Sequence, residues 1–434
     1  MTLNAMLERG LGAVAPRITG EVTAVTGLTI WVEGVLAAIG DIVVLELPQS
    51  RLRAEVVGVH GSRMACMPLG VTTGVSPGTR VTSTGRPLQV PVGMELKGRV
   101  LNGLGEPIDG GAPIDALASV SIDNTAPSPL SRQRIREQLQ LGVRAIDALT
   151  PVGHGQRMGI FAGSGVGKST LLSMIARNTT ADVVVVALVG ERGREVREFL
   201  ENDLGAEGLK RSVVVVATSD EPPVVRLRAA FSATRIAEWF RDQGLNVLLF
   251  MDSITRTMMA QREVGLSAGE PPATRGYPPS AFALLPRLLE RAGPAEFGTI
   301  TGIYTVLLEG DDVHDPIGDT ARSILDGHIV LDRDLAHANH YPAIDVLGSI
   351  SRVAPAVTDA EQRDAISKVR RIMSAYREAK VLIDVGAYVA GANDDVDTAR
   401  ALMPEINAFL RQAVEDPSDL DDTWQQLFTL VRGL

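Results

Sequence analysis

The chain has 434 residues, enough for two or three domains, and its 45% hydrophobic and 22% charged content is ordinary for a globular protein. A formal net charge of −10 argues against nucleic acid as the main partner, and a lone cysteine, Cys66, excludes an intramolecular disulfide and suits a reducing compartment. The longest apolar run, residues 183–189, is strand-sized and not membrane-spanning, and the N-terminus lacks a signal-peptide apolar stretch. The expected setting is therefore the cytoplasm, free or peripheral to a membrane.

Residues 1–16 carry Leu3, Met6 and Leu7 at helical spacing before Gly10 and read as a short arm, either a frayed terminus or a docking segment. Across 17–93, short valine- and threonine-rich runs (20–27, 28–32, 41–47, 53–59) separated by glycines predict a small β-barrel or sandwich. Residues 98–110 are rich in turn formers and read as a structured connector; 132–149 carry Ile135, Leu139, Val143 and Ile146, interrupted by Gly142. From Met158 onward, β-rich runs at 158–161, 182–189, 212–217, 246–251, 299–307 and 327–331 alternate with helical patterns, which predicts a mainly parallel sheet covered on both faces. After Arg352 the β signal fades, and 361–382, 396–414 and 420–431 read as amphipathic helices. The expected division is an α/β chain with a barrel at 17–93, a nucleotide-binding domain at 94–352 and a helical domain at 353–434.

The central motif is Ala162-Gly163-Ser164-Gly165-Val166-Gly167-Lys168-Ser169-Thr170, set between an apolar strand and a helical run. Glycines let successive backbone N–H groups turn inward to cradle phosphate, at a helix N-terminus whose dipole already favours an anion. Lys168 would reach the β- and γ-phosphates of ATP and the Ser169 hydroxyl would sit on Mg²⁺. Ala162 stands where the usual first glycine would be. The strand 246–251 ends in Asp252, a carboxylate suited to anchoring Mg²⁺ and its waters. The strand 182–189 leads to Glu191, placed to polarise an attacking water. The competing account of Glu191, Arg192, Arg194 and Glu195 is one solvated charged turn. The prolines of 270–280 are expected to stiffen a projecting loop that carries Tyr277.

Four stretches, 190–196, 249–256, 270–280 and 341–352, resemble the catalytic-subunit motifs of the rotary ATPases, most of all the flagellar type III protein-export ATPases. The resemblance spans nearly the whole chain in the order barrel, P-loop domain, helical domain. It implies that Glu191 is the catalytic glutamate, that Arg192 and Arg256 lie near the γ-phosphate, that Tyr341 packs on the adenine, and that Arg352 is an arginine finger supplied to a neighbouring subunit. It also implies a homohexamer at the inner face of the cytoplasmic membrane. The implied partners are a stator-like export regulator, a central coiled-coil stalk protein, the membrane export gate, export substrates and their chaperones. An injectisome secretion ATPase is the alternative. A hexameric RNA-dependent helicase ranks lower, because Trp31 is the one aromatic in residues 18–92 on which a base could stack.

Overall fold

The computed structural model describes residues 18–114, 117–308, 315–432 and 434, so the N-terminal arm lies outside the described residues. Strands β1 (Thr19–Thr26), β2 (Thr29–Glu33), β3 (Asp41–Glu46), β4 (Arg51–His60), β5 (Arg63–Pro68) and β6 (Arg80–Pro87) close a barrel in the order β1-β2-β5-β4-β3-β6. The barrel interior is filled by Val22, Ile30, Val43, Leu45, Val56 and Cys66, whose thiol is pushed up to about 12 by burial. The sequence pattern names the first four strands. It leaves β5 and β6 unmarked: the apolar run of β5, Met64 to Met67, has no β-branched or aromatic residue, and Thr82, Ser83 and Thr84 break any apolar run in β6.

A two-stranded ribbon, β7 (Gln89–Val92) with β9 (Ala118–Ser121), follows the barrel, and β8 (Val100–Asn102) crosses to the edge of the main sheet. That nine-stranded sheet also holds β10 (Arg157–Ala162), β11 (Val183–Glu191), β12 (Ser212–Thr218), β13 (Asn246–Asp252), β14 (Gly293–Pro294), β15 (Thr299–Leu307), β16 (Gly327–Leu331) and β17 (Ile344–Ser351). Its order is β17-β16-β10-β15-β13-β11-β12-β8, with β14 paired to β15. All neighbours are parallel except β14 on β15 and β17 on β16. β17 is a strand that the apolar pattern does not mark, since Asp345, Gly348 and Ser349 dilute it; it is recruited by pairing with β16.

Every residue of β11 is buried, and the two-residue period of a strand sends alternate side chains to opposite faces. Val183, Val185, Ala187 and Val189 join one core with the helices Pro223–Asp242, Ile254–Ser267 and Pro279–Leu289. Val184, Val186 and Leu188 join the other, with helix α1 (Lys168–Asn178) and the C-terminal helices α2 (Ala360–Asp384), α3 (Asp394–Leu410) and α4 (Leu420–Leu430). Thus the helical domain is packed on the same face as the helix that follows the phosphate loop. α3 ends at Leu410, short of the expected 414, with Arg411 extended and Gln412 drawn into the contacts described below. Among the described residues no helix is long and apolar enough to cross a membrane.

Candidate active site

β10 stops at Ala162, and the loop beyond it turns through Gly165 and Gly167 at φ 79° and 91°, a region that disfavours side chains. α1 then starts at Lys168 with no side-chain cap and no acidic residue in its first turn. Its free N–H groups and dipole therefore remain available to an anion.

The order β10-β15-β13-β11 brings the carboxyl ends of β13 and β11 beside this loop, with Leu188 opposite Asp252. Lys168 Nζ donates to both oxygens of Asp252, at 2.5 and 2.7 Å, and lies 3.6 Å from Glu191 Oε1. Asp252 Oδ1 also accepts from Thr305 Oγ1 at 2.7 Å, which fixes the carboxylate from β15. β11 slips register against β12 between Val189 and Glu191, at Gly190 with φ 72°. A Cβ on Gly190 would meet the Arg256 stem at 3.1 Å, so the glycine lets Arg256 close over the strand end. Ser253 caps the helix Ile254–Ser267 by accepting from the Arg256 N–H at 3.2 Å, placing Arg256 within electrostatic range of Glu191.

Glu191 is only 9% exposed. Burial pushes its carboxyl up to about 7; Lys168 opposes that shift, Asp252 and a hydrogen bond with Glu195 add to it, and Arg256 opposes it. A carboxyl near neutrality beside an ammonium and an anion cradle can take a proton from, or orient, a water at a bound phosphate.

The solvated-turn account holds for the neighbours of Glu191. Arg192, with a 74% exposed side chain, pairs with Glu195 at 3.5 Å, and Arg194 reaches Glu198 at 3.1 Å. Arg192 is therefore held outside the buried cluster. Tyr341 lies on the other side of the phosphate loop: its ring carbon is 3.2 Å from where a Gly167 Cβ would stand. The Tyr341 carbonyl accepts from the Gln412 N–H at 3.0 Å, and the buried Gln412 amide donates to the Gly142 carbonyl and accepts from the Arg144 N–H. The helical domain thereby sets the position of Tyr341. Neither Gln412 nor Thr305 stands out in the sequence; a threonine inside an apolar strand is the one faint signal for the latter.

Arg352 is not in this cluster. Its N–H donates to the Asp326 carbonyl at 2.9 Å, and the Asp326 N–H donates to the carbonyl of Arg157, the first residue of β10. The phosphate loop begins after Ala162, the last residue of β10, about 16 Å away at about 3.3 Å per strand residue. The Arg352 guanidinium, donating to the Arg322 carbonyl at 3.3 Å, is exposed at the far edge of the sheet.

Residues 271–275 of the proline-rich loop are exposed, but the Tyr277 ring does not project with them. The ring is 6% exposed, edge-on to Phe282 at 6.2 Å and under the Arg262 guanidinium at 5.5 Å. The buried ring anchors the C-terminal end of the proline-rich loop to the core.

Three family models match: the ATP synthase alpha/beta family beta-barrel domain at residues 22–85, the nucleotide-binding domain of that family at 142–351, and the T3SS EscN ATPase C-terminal domain at 358–429. The chain is 51% identical to a flagellum-specific ATP synthase of Bacillus subtilis over 415 residues, covering 95% of each protein. It is 50% identical to a type 3 secretion system ATPase of Xanthomonas euvesicatoria over 432 residues, covering 99% and 98%. Among solved structures, the assembled ATPase EscN from an enteropathogenic E. coli type III secretion system superposes with a TM-score of 0.90 at 46% identity, covering 95% of this chain and all of that one. A second EscN structure, in complex with its central stalk EscO, gives 0.89 at 44%.

Proposed function

The chain belongs to the ATP synthase alpha/beta family, and from that premise we propose that it is the ATP-hydrolysing motor of flagellar type III protein export, releasing or unfolding substrates for flagellum assembly. It binds ATP and cleaves it with water to ADP and phosphate. Flagellum-specific relatives at 49–51% identity in Bacillus subtilis, Treponema pallidum and Salmonella typhimurium support the flagellar assignment, with injectisome ATPases as close kin.

The observation that carries the reading is the shared Lys168 ammonium. One cation serves Asp252 and Glu191 together, so an arriving triphosphate can draw Lys168 onto its oxygens while Glu191 stays at the edge of the cradle. Glu191 then orients the attacking water and accepts its proton. The donors Ser169 and Asp252 are all-oxygen and fit Mg²⁺, a reading supported by the Lys168 ammonium that Asp252 already pairs with. When bound, Mg²⁺ supplies charge neutralisation at the phosphates. Tyr341, against Gly167, would flank the base, and Arg256 would face the phosphates from the Glu191 side.

The position of Arg352 completes the reading. Held at the opposite end of β10 from the phosphate loop, it cannot reach its own nucleotide; in a closed head-to-tail ring it can serve the neighbour's γ-phosphate, where an arginine fork neutralises spread charge. The active species is on this reading a homohexamer. Its assembled EscN relatives and the EscO stalk complex support self-association and a central stalk partner. The export regulator, gate, substrates and chaperones complete the proposed partner set, at the inner face of the cytoplasmic membrane. The test is ATPase activity against protein concentration: specific activity should rise steeply with assembly, and a fully active dilute monomer would overturn the shared site.

A further inference from the structure

Between the phosphate-loop strand and Arg352 lies one fully buried amide. Gln156, immediately before β10, is 0% exposed. Its Oε1 accepts from the Gly153 N–H at 2.9 Å, and its Nε2 donates to the Asp326 carbonyl at 3.2 Å and to Ser351 Oγ at 3.0 Å. The orientation of the amide follows from its partners, because an N–H can only donate and a carbonyl can only accept. Ser351 precedes Arg352, and the Asp326 carbonyl is the acceptor of the Arg352 N–H. The amide therefore touches the side chain on one side of the Arg352 peptide and the carbonyl that receives that peptide's hydrogen.

The surroundings leave little slack. Opposite Ser351 stands Gly327, where a Cβ would meet the Ile350 carbonyl at 2.4 Å and Met158 Sδ at 2.7 Å, so β17, β16 and β10 approach as closely as backbone allows. The Asp326 carboxylate is held by the Arg157 N–H at 3.0 Å and by its Nε and Nη2 at 3.1 Å. Arg352 itself, by contrast, is exposed, with one side-chain bond to a carbonyl. Its aim is set from behind, through the strand end.

We propose that Gln156 is a positioning residue for Arg352, acting through Ser351 and the Asp326 carbonyl on the nucleotide of the adjacent subunit and not on that of its own. The inference rests on the assignment of Arg352 as a finger supplied in trans. Misplacement of such a group by about 1 Å is enough for about a 10²-fold loss. Gln156→Ala should lower kcat by about that factor while leaving the KM for ATP near the parental value, because the variant's own phosphate loop is untouched.

The deciding experiment is subunit complementation in rings that differential tags show to contain both variants. Mixing Lys168→Ala with Arg352→Ala tests the finger: activity above either parent is expected, and its absence in mixed rings overturns the finger and this inference with it. Mixing Lys168→Ala with Gln156→Ala tests the positioning role. Restoration is expected, since an intact loop from the Gln156→Ala subunit then meets an intact Arg352 from its neighbour. If the first mixture recovers and the second does not, Gln156 serves its own loop and the inference fails alone. Ser351→Ala, which removes one hydroxyl and leaves the Gln156 amide N–H groups the Asp326 carbonyl and Met158 Sδ as acceptors, carries the same test if Gln156→Ala does not fold; a smaller kcat loss, also complemented by Lys168→Ala, is expected, and parental kcat or failed complementation would overturn it.

Discussion

At its carboxyl end β10 delivers Lys168 to two carboxylates, Asp252 at 2.5 Å and Glu191 at 3.6 Å, whereas at its amino end Arg157 grips Asp326 through Nε and Nη2 at 3.1 Å and through its own N–H at 3.0 Å. Both ends are built from cations and acids, yet they are matched differently. The Lys168 ammonium is a compact point charge without a planar fork, set on both oxygens of Asp252 and near Glu191, an arrangement that can exchange partners when phosphate arrives. The Arg157 guanidinium also serves two acids, Asp326 and Glu290, but it grips Asp326 through a planar fork joined by a backbone N–H, and that directional contact holds register. The difference teaches that burial and charge alone do not mark a reaction site; a cation with no directional fork, placed at an anion cradle, does.

Removing Lys168 should separate the two ends most sharply. Lys168→Ala is expected to cut ATP turnover by about 10³-fold or more while far-UV circular dichroism and the melting transition stay near parental. The fold survives because Glu191, already pushed up to about 7, can take a proton beside Asp252 when its cation is gone. A large drop in melting temperature would mean that both ends are structural.

Glu191→Gln should come next, lowering turnover by about 10²-fold or more with Mg·ATP binding retained in equilibrium titrations, since the amide keeps the shape and loses the proton acceptor. Parental turnover would return Glu191 to the solvated turn occupied by Arg192 and Glu195.

At the other end, Arg157→Ala should cost stability first. It strips Asp326 and Glu290 of their shared partner; their side chains are 26% and 45% exposed, so a loss of about 2 kcal/mol, between the buried and surface limits, is expected in denaturant melts. Unchanged stability would show that the hydrogen-bonded backbone alone keeps the Asp326 register.

The smallest effect is the pH dependence. On the proposed mechanism catalysis needs the ionised form of Glu191, and burial raises the pH at which that form appears. The acid limb of kcat/KM, which reports the free enzyme, should therefore bend near 7 and fall about tenfold per pH unit below it. A limb that bends in the ordinary carboxylate range would show that Glu191 is not the titrating base.

Much of the catalytic end was legible along the chain because it is written locally. Glycine spacing, the Lys168-Ser169 pair and acids at the ends of apolar runs are short-range features, each tied to the backbone that immediately precedes it. The barrel strands β5 and β6, the strand β17, the burial of Tyr277 and the roles of Thr305, Gln412 and Gln156 were not, for a common reason. Each is fixed by a partner far away in sequence, as Gln156 is by Ser351 and Tyr341 by Gln412.

Sequence by itself therefore marked the candidates for the proposed chemistry, a glycine-rich loop, Lys168, Asp252 and Glu191, because strand, loop and helix propensities act over a few residues. Tertiary structure alone decided the geography. Strand order put Asp252 and Glu191 on one ammonium, burial moved Glu191 toward neutrality, and the antiparallel return of β17 carried Arg352 to the end of the sheet away from its own phosphate loop. Those outcomes depend on long-range pairing and on exclusion of water, which no local pattern specifies.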